Sequence, residues 1–444
     1  MKVLVAWPPH VPSYFNAGHH LPVFSVAAYL RAQGHDVQAL DAGALNSTWK
    51  DFGQRLVDHR FDAVVLVNDF DVVEGVRRAA DYVRALSPST LLMTVGRLSY
   101  QNPGWFRTLP LDAIGVAGDY EAAAAQALTL RDGPRHALPG VEVRTPEGWL
   151  PAGPGARLAP EEWVLPDVTE IPYAAYDNLY ADDSNKFCGL PGSRELVVPV
   201  ARGCPVNCSF CDVPAMQGLA ERRITVERTV AYIEESFRTL PFEYVSFYAP
   251  TFTLQKKWVY ELADRLAAGP RRYPWKCATT LRHLDEDLLR AMGASGCVRV
   301  SVGVETFAPT PNGVLPRVKQ DARARFEQVL GWCEAAGIEL NCFVIVGLPG
   351  TSAEDAAATI SLIAEAGARP RPTLYTPYEQ MTETMGEREL SGFNRQTFVD
   401  PAPILAAGDD PTEHLRLVFG RDGYTTTSRA AVERVGLRNV LAAP

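Results

Sequence analysis

Residues 200–214 read Val-Ala-Arg-Gly-Cys-Pro-Val-Asn-Cys-Ser-Phe-Cys-Asp-Val-Pro. Cys204, Cys208 and Cys211 stand at the spacing C-x3-C-x2-C. A structural zinc takes four closely placed Cys or His ligands, and neither a second C-x2-C nor a nearby His completes such a set here. The other cysteines, Cys188, Cys277, Cys297, Cys333 and Cys342, are scattered, most of them in segments that read as strands or helices, where buried thiols are common. Three thiolates on one short loop suit a 4Fe–4S cluster with one iron left open to an outside ligand. Gly203 lets the chain turn sharply ahead of them, Pro205 restricts the backbone, and Phe210 places an aromatic ring next to the last.

Around this loop the apolar pattern alternates between strand and helix. Strands are predicted at Leu196–Val200, Tyr244–Tyr248, Lys276–Thr280, Val298–Val304, Glu339–Val346 and Thr373–Thr376, with helical segments between them. Six such units suffice for a curved, partly closed barrel and fall short of the eight of a full one. Residues 1–130 carry a second alternation, from Val3–Ala6 to Ala113–Val116. It predicts a doubly wound, Rossmann-like parallel sheet covered on both faces. Ligands of such sheets sit beyond the carboxyl ends of the strands, here the loops Pro8–His20, Asn68–Asp71 and Gly96–Tyr100. The Pro-, Gly- and Trp-rich stretch 131–194 reads as a linker and strap with a hairpin at Val141–Leu150. The α/β chain thus divides into a first domain at 1–130, the linker at 131–194, a partial (β/α)6 barrel at 195–390 and a short C-terminal extension at 391–444. That extension includes one helix near Thr427–Val435.

The chain has 444 residues, 47% hydrophobic and 21% charged, with a net charge of −9. Two or three domains are expected from that length. The acidic balance argues against a nucleic-acid surface and is compatible with a neutral or cationic small substrate. The sequence contains no run of apolar residues long enough for a membrane span. The N-terminal apolar run breaks at Pro8 and reads as a strand and not as a signal peptide. A cytoplasmic protein with reduced thiols is therefore expected.

The cysteine motif, with an aromatic just before its last Cys and a β/α region around it, resembles the radical S-adenosylmethionine (radical SAM) superfamily over residues 195–390. The resemblance implies that Cys204, Cys208 and Cys211 hold a 4Fe–4S cluster. S-adenosylmethionine (SAM) would bind the open iron, and one electron would cleave it to a 5′-deoxyadenosyl radical that takes hydrogen from a substrate. It also implies roles at strand ends. Glu305, in Val302-Gly-Val-Glu-Thr306, corresponds to the acid that contacts the SAM ribose, with a surface ion pair as the other reading. Gly347, in Ile345-Val-Gly-Leu-Pro-Gly350, lies where the family approaches the adenine, or in a plain turn. Thr251, in Ala249-Pro-Thr-Phe-Thr253, lies near the SAM amino group, without the usual acidic residue. Arg282 would meet the SAM carboxylate or a substrate oxygen with its planar fork, or form a salt bridge with Asp285. Phe210 would shield the cluster or face a cofactor base.

The first domain is similar to the cobalamin-binding class of that superfamily, with Pro8-Pro-His10 and Gly18-His-His-Leu-Pro22 after the first strand. No D-x-H-x-x-G stretch supplies a cobalt ligand, which leaves His10, His19 and His20 as candidates beside the reading of ordinary loop histidines. The short chain after the sixth strand resembles the radical SAM diol-dehydratases of apramycin-type aminoglycoside biosynthesis, which implies an antibiotic-pathway lyase working without cobalamin. Tyr378, Glu379 and Glu383 would then face the barrel mouth as acid/base groups for a cationic amino-sugar substrate, or form a solvated acidic loop. A flavodoxin or ferredoxin would supply electrons, and an NAD(P)H reductase would take the product. The enzymatic alternative is cobalamin-dependent radical C-methylation. The non-enzymatic one is an iron–sulfur redox sensor or partner-binding module, against which the Glu305 and Gly347 segments speak.

Overall fold

A computed structural model describes residues 1–10, 20–133, 135–179, 194–311, 313–320 and 322–393. They form two compact units, residues 1–179 with 378–393, and residues 194–377.

The first unit is built on strands β1 (Lys2–Trp7), β2 (Asp36–Asp41), β3 (Ala63–Asn68), β4 (Leu91–Gly96), β5 (Ala113–Gly115), β6 (Val141–Thr145) and β7 (Gly148–Leu150). Their order is β2-β1-β3-β4-β5-β6-β7. The first five run parallel, and β6 and β7 close the edge antiparallel. Every residue of β3 and β4 is buried. Their apolar runs are therefore continuous and not alternating, as a sheet covered on both faces requires. The covering helices include α1 (Leu21–Ala32), α2 (Trp49–His59), α3 (Val73–Leu86), α4 (Arg97–Gln101), α5 (Pro103–Phe106), α6 (Tyr120–Leu128) and α7 (Tyr173–Leu179). Local chemistry sets their ends. Thr48 and Asp51 form a reciprocal capping box at the start of α2. The order reverses between β1 and β3, which places the switch-point crevice at the carboxyl ends of those strands.

The second unit holds β8 (Glu195–Pro199), the two-stranded ribbon β9 (Ala201–Arg202) and β10 (Arg222–Arg223), then β11 (Tyr244–Tyr248), β12 (Trp275–Thr279), β13 (Cys297–Glu305), β14 (Glu339–Val346) and β15 (Arg369–Leu374). Its main sheet is linear, β15-β14-β13-β12-β11-β8, and wholly parallel. Between the strands run α8 (Val213–Gln217), α9 (Val226–Thr239), α10 (Lys256–Ala268), α11 (Glu286–Ala294), α12 (Ala322–Ala335) and α13 (Ala353–Glu365). The result is the partial (β/α)6 barrel. No helix among the described residues is long and apolar enough to cross a membrane.

Two expected boundaries move. The hairpin expected in the linker belongs to the first sheet, because β6 pairs with β5. The barrel expected to run to 390 ends at 377, and the following segment, with α14 (Glu387–Gly392), belongs to the first unit. Gly104 explains the fit, since a Cβ there would lie 2.5 Å from the Glu383 carbonyl oxygen. Asn102 Nδ2 donates to the Thr382 carbonyl at 2.8 Å, and Arg77 Nε to Glu387 at 2.7 Å. His19, Cys188 and the C-terminal extension from 394, with the helix expected near Thr427–Val435, lie outside the described residues.

Gly96 ends β4 where a Cβ would lie 2.0 Å from the Asn68 carbonyl oxygen of β3. Gly96→Ala is expected to destabilise the first unit by about 1–3 kcal/mol through this overpacking, read as a lowered urea midpoint with the spectrum of the second unit unchanged.

Candidate active site

The cysteine loop is closed at its base by the β9/β10 ribbon, in which Arg202 faces Arg222 and Ala201 faces Arg223. Gly203 has a φ of 87°, and a Cβ on it would lie 2.1 Å from the Ala220 carbonyl oxygen, so only glycine fits this entry. The Cys204 amide donates to the Gly218 carbonyl at 2.9 Å, and that of Cys211 to Cys208 at 3.1 Å. Cys204 is buried, and Cys208 and Cys211 are half-buried. Burial pushes the Cys208 thiol up to about 11, with Cys211, Glu305 and Cys204 adding and Lys319 opposing. Burial likewise raises Cys211. A metal must therefore displace protons to load this loop.

Does this donor set fit a cluster? Among the described residues no three His, Cys, Asp or Glu side chains are gathered about one point as ligands of a single ion. A cubane instead gives each thiolate its own iron. The three soft thiol donors, close enough to shift one another's protonation, fit such a group.

The other residues singled out in the second unit divide by position. Thr251, buried, sets its Oγ1 3.5 Å from Cys204 Sγ. Phe210 packs on the cluster of Leu315, Ile345, Leu348 and Tyr375, which pins the loop to the ends of β14 and β15. Glu305 is buried at the end of β13, with a φ of 63°. A register shift between Gly303 and Glu305 accompanies that left-handed residue. Such strain in a non-glycine residue persists only where its surroundings fix it. Here the fixing partner is Lys319, whose ammonium bonds to Glu305 and lies 5.3 Å from the Phe210 ring centre. Burial alone would lower the Lys319 pKa, and the Glu305 carboxylate outweighs it, leaving it raised. Nothing in the sequence sets Lys319 apart from its basic neighbour Arg317, although a buried strand-end glutamate calls for a cation. Gly347 follows β14 with a φ of 80°. Arg282 lines a cleft of about 550 Å³ with Gly303, Lys319, Gln320 and Arg325. Its alternative partner Asp285 is taken by Lys256.

Tyr378, Glu379 and Glu383 fall outside the second unit and belong to the first. The Tyr378 hydroxyl is bonded by Arg97, and Glu383 accepts from Arg107 Nη1 at 3.1 Å. Glu379 is exposed. Within that unit the switch-point crevice holds a buried ring set. His20 stacks on Trp7 with centres 3.8 Å apart, and its Nδ1 lies 2.8 Å from Asp41. The Tyr176 hydroxyl also bonds to Asp41. Burial would lower the His20 pKa, but Asp41 outweighs it and leaves it raised. Trp7 Nε1 donates to His10 Nδ1 at 3.2 Å. His10 Nδ1 also lies 3.3 Å from the Pro8 carbonyl oxygen, and its Nε2 is buried without a hydrogen-bond partner among the described residues, 4.0 Å from Asp71.

Residues 198–363 match the family described as the radical SAM superfamily. The second unit carries a radical SAM domain. Over 376 residues the chain is 25% identical to an uncharacterized methyltransferase of Pyrococcus horikoshii, covering 81% of this chain and 77% of the relative. Over 420 residues it is 22% identical to an anaerobic magnesium-protoporphyrin IX monomethyl ester cyclase of Rubrivivax gelatinosus, covering 89% and 69%. The radical SAM methyltransferase TsrM of Kitasatospora setae, solved with cobalamin and a [4Fe–4S] cluster, shares the fold. Its TM-score is 0.67 at 16% identity, over 84% of this chain and 74% of that one. The radical SAM domain and the parallel sheet before it thus follow one shared architecture.

Lys319→Met in the radical SAM domain leaves Glu305 buried and unpaired. It is expected to cost about 3–5 kcal/mol in urea unfolding, with part of the loss recovered by adding Glu305→Gln. In the first unit, burial first and then the His20 charge lower the His10 pKa from 6.5 to about 4. Between those values the unfolded chain binds a proton that the folded chain refuses, so stability falls as pH drops through this window. His10→Gln should flatten that part of the stability–pH curve, and an unchanged slope would contradict the assignment.

Proposed function

We propose that the chain is a cobalamin-dependent radical SAM methyltransferase. The observation that carries this reading is the pairing of two features in one chain. One is the Cys204–Cys208–Cys211 loop at the head of a six-stranded parallel barrel sheet. The other is a preceding doubly wound sheet at whose switch point the buried Nε2 of His10 has no hydrogen-bond partner among the described residues. An unsatisfied polar atom at the ligand end of such a sheet fits a bound polar cofactor. The likeness to a protein named as a methyltransferase and to a fold solved with cobalamin supports the choice.

When bound, the cluster supplies the electron that splits SAM, and cobalamin supplies the methyl group. The chain's own residues bind and orient. Cys204, Cys208 and Cys211 hold three irons as thiolates. Thr251, beside Cys204, would meet the SAM amino group, and the Arg282 fork would take a carboxylate. Glu305, fixed by Lys319, accepts from the ribose hydroxyls. Gly347 lets the backbone approach the adenine, and Phe210 excludes water next to the last cysteine. The electron donor is a flavodoxin or ferredoxin.

The dehydration expected from the short chain loses its footing, because Tyr378 and Glu383 serve as partners of Arg97 and Arg107 in the first unit. The cleft, lined by Arg282, Lys319 and Arg325, suits a neutral or anionic substrate group better than the expected cationic amino sugar.

The test is anaerobic reconstitution of protein produced with cobalamin supplied. The expected result is a 4Fe–4S cluster, cobalamin absorbance, reductant-dependent 5′-deoxyadenosine from SAM, and a product heavier by one CH2. Changing Cys204, Cys208 and Cys211 together to alanine should abolish the cluster and all turnover. A product lighter by one water, or protein that never takes up cobalamin, would return the reading to dehydration.

A further inference from the structure

Arg223 lies at the end of the β9/β10 ribbon that closes the cysteine loop, and its side chain is 2% exposed. Its Nε and Nη2 donate to the two carboxylate oxygens of Glu221 at 2.9 and 3.0 Å. Nη2 also donates to the Phe252 carbonyl at 2.9 Å and reaches that of Thr251 at 3.4 Å. The guanidinium sits over Trp258, 4.7 Å from the ring centre. Nη1 is buried with no hydrogen-bond partner among the described residues. One planar fork thus ties the closing end of the cysteine loop to the turn after β11. That turn carries Thr251, which touches Cys204.

A core that needed only packing would not keep a buried guanidinium with one nitrogen unsatisfied, since such a group costs stability. The bidentate geometry explains its retention. The pair with Glu221 fixes the plane of the guanidinium, and Nη2 of that fixed plane then reaches the carbonyls of residues 251 and 252, a geometry that an apolar side chain or a lysine cannot reproduce. We infer that Arg223 is a positioning residue that fixes the turn bearing Thr251 against the cysteine loop and so sets the geometry in which SAM docks. The inference rests on the proposed radical SAM chemistry of this site. Arg223 touches neither cofactor nor reacting atoms. It acts through the carbonyls of residues 251 and 252, and a shift of about 1 Å in such a frame costs rate and affinity far beyond the lost bonds.

The experiment uses the reconstituted full chain and two variants, Arg223→Lys and Glu221→Gln. Arg223→Lys keeps the charge and loses the fork. Glu221→Gln keeps an acceptor for the fork and leaves the bonds to the turn in place. Iron content, the change in the electron paramagnetic resonance spectrum of the reduced cluster on adding SAM, and the KM for SAM are measured together. The expected result for Arg223→Lys is unchanged iron content, an altered SAM-induced spectrum, and a KM for SAM raised roughly tenfold to hundredfold, the range for lost hydrogen bonds to a charged group. Glu221→Gln removes a buried counter-charge and should lower stability, but it leaves the Nη2 bonds to the turn in place, so its SAM-induced spectrum and KM for SAM should stay nearer the parent's than those of Arg223→Lys. An Arg223→Lys protein with the parent's SAM-induced spectrum and KM would overturn the inference. So would loss of iron and SAM response in equal measure in both variants, which marks a purely structural role. A parent protein whose cluster shows no response to SAM would overturn the underlying functional reading as well, and is told apart by that control.

Discussion

A parallel sheet covered by helices on both faces buries its side chains along the whole strand, and only the carboxyl-end loops are left to meet a ligand. The first unit obeys this constraint, and the second, a partial barrel whose strands pair in chain order, likewise sets its candidate residues at the carboxyl ends of its strands. The cysteine loop follows β8 and β9, Thr251 follows β11, Arg282 follows β12, Glu305 ends β13 and Gly347 follows β14. Residues separated by as much as 140 positions in sequence are collected because the strands are in register, not because any local motif brings them together. The loops themselves are then held by contacts that strands cannot provide. Gly203 and Gly303 leave space where a Cβ would collide, Phe210 plugs into a small apolar cluster, and the Arg223 fork joins two turns.

Electrostatics at this edge follow from the same crowding. Three thiols sit beside one buried ion pair, Glu305 with Lys319. Burial raises the pKa values of the Cys208 and Cys211 thiols, and the Lys319 ammonium is the nearby charge that favours their ionised form. Lys319 therefore links the two halves of the site, since it compensates the strained carboxylate and opposes the burial of those two thiolates. Removing it affects both. A carboxylate held this way keeps its orientation whether or not a ribose is present, so little is left to reorganise on binding.

Much of this was legible in the sequence, and the failures have physical causes. Strand positions from β1 to β4, of β8 and from β11 to β15 follow from runs such as Ala63-Val-Val-Leu-Val and from the turn glycines between them, because burial writes itself into composition, whereas the short ribbon of β9 and β10 left no such run. The cysteine spacing named the metal loop. The helix Tyr120–Leu128 left no mark, since Glu-Ala-Ala-Ala-Ala carries no apolar stripe to separate from a polar face. Lys319 and Arg223 were invisible for another reason. Each is a single basic residue in a stretch with others, and what distinguishes it is burial against one acid, a fact of tertiary structure alone.

The acidic segment after β15 shows how chain length and charge mislead when partners are unknown. Tyr378, Glu379 and Glu383 read as a polar mouth waiting for a polycation. The first unit supplies Arg97 to Tyr378, Arg107 to Glu383 and Arg77 to the neighbouring Glu387, and Gly104 gives the backbone room to lie against α5. The charges of Glu383 and Glu387 are thus met by the protein itself, while Glu379 is exposed. A negative net charge of the whole chain cannot then be assigned to a substrate, because net charge reports solubility first. A short stretch after the last strand cannot be read as a missing cap either, because part of it completes the first unit. With both arguments gone, nothing in these residues distinguishes an enzyme that expels water from one that adds a methyl group. The distinction falls to the first unit, where the buried Nε2 of His10 has no hydrogen-bond partner among the described residues at the ligand end of the sheet.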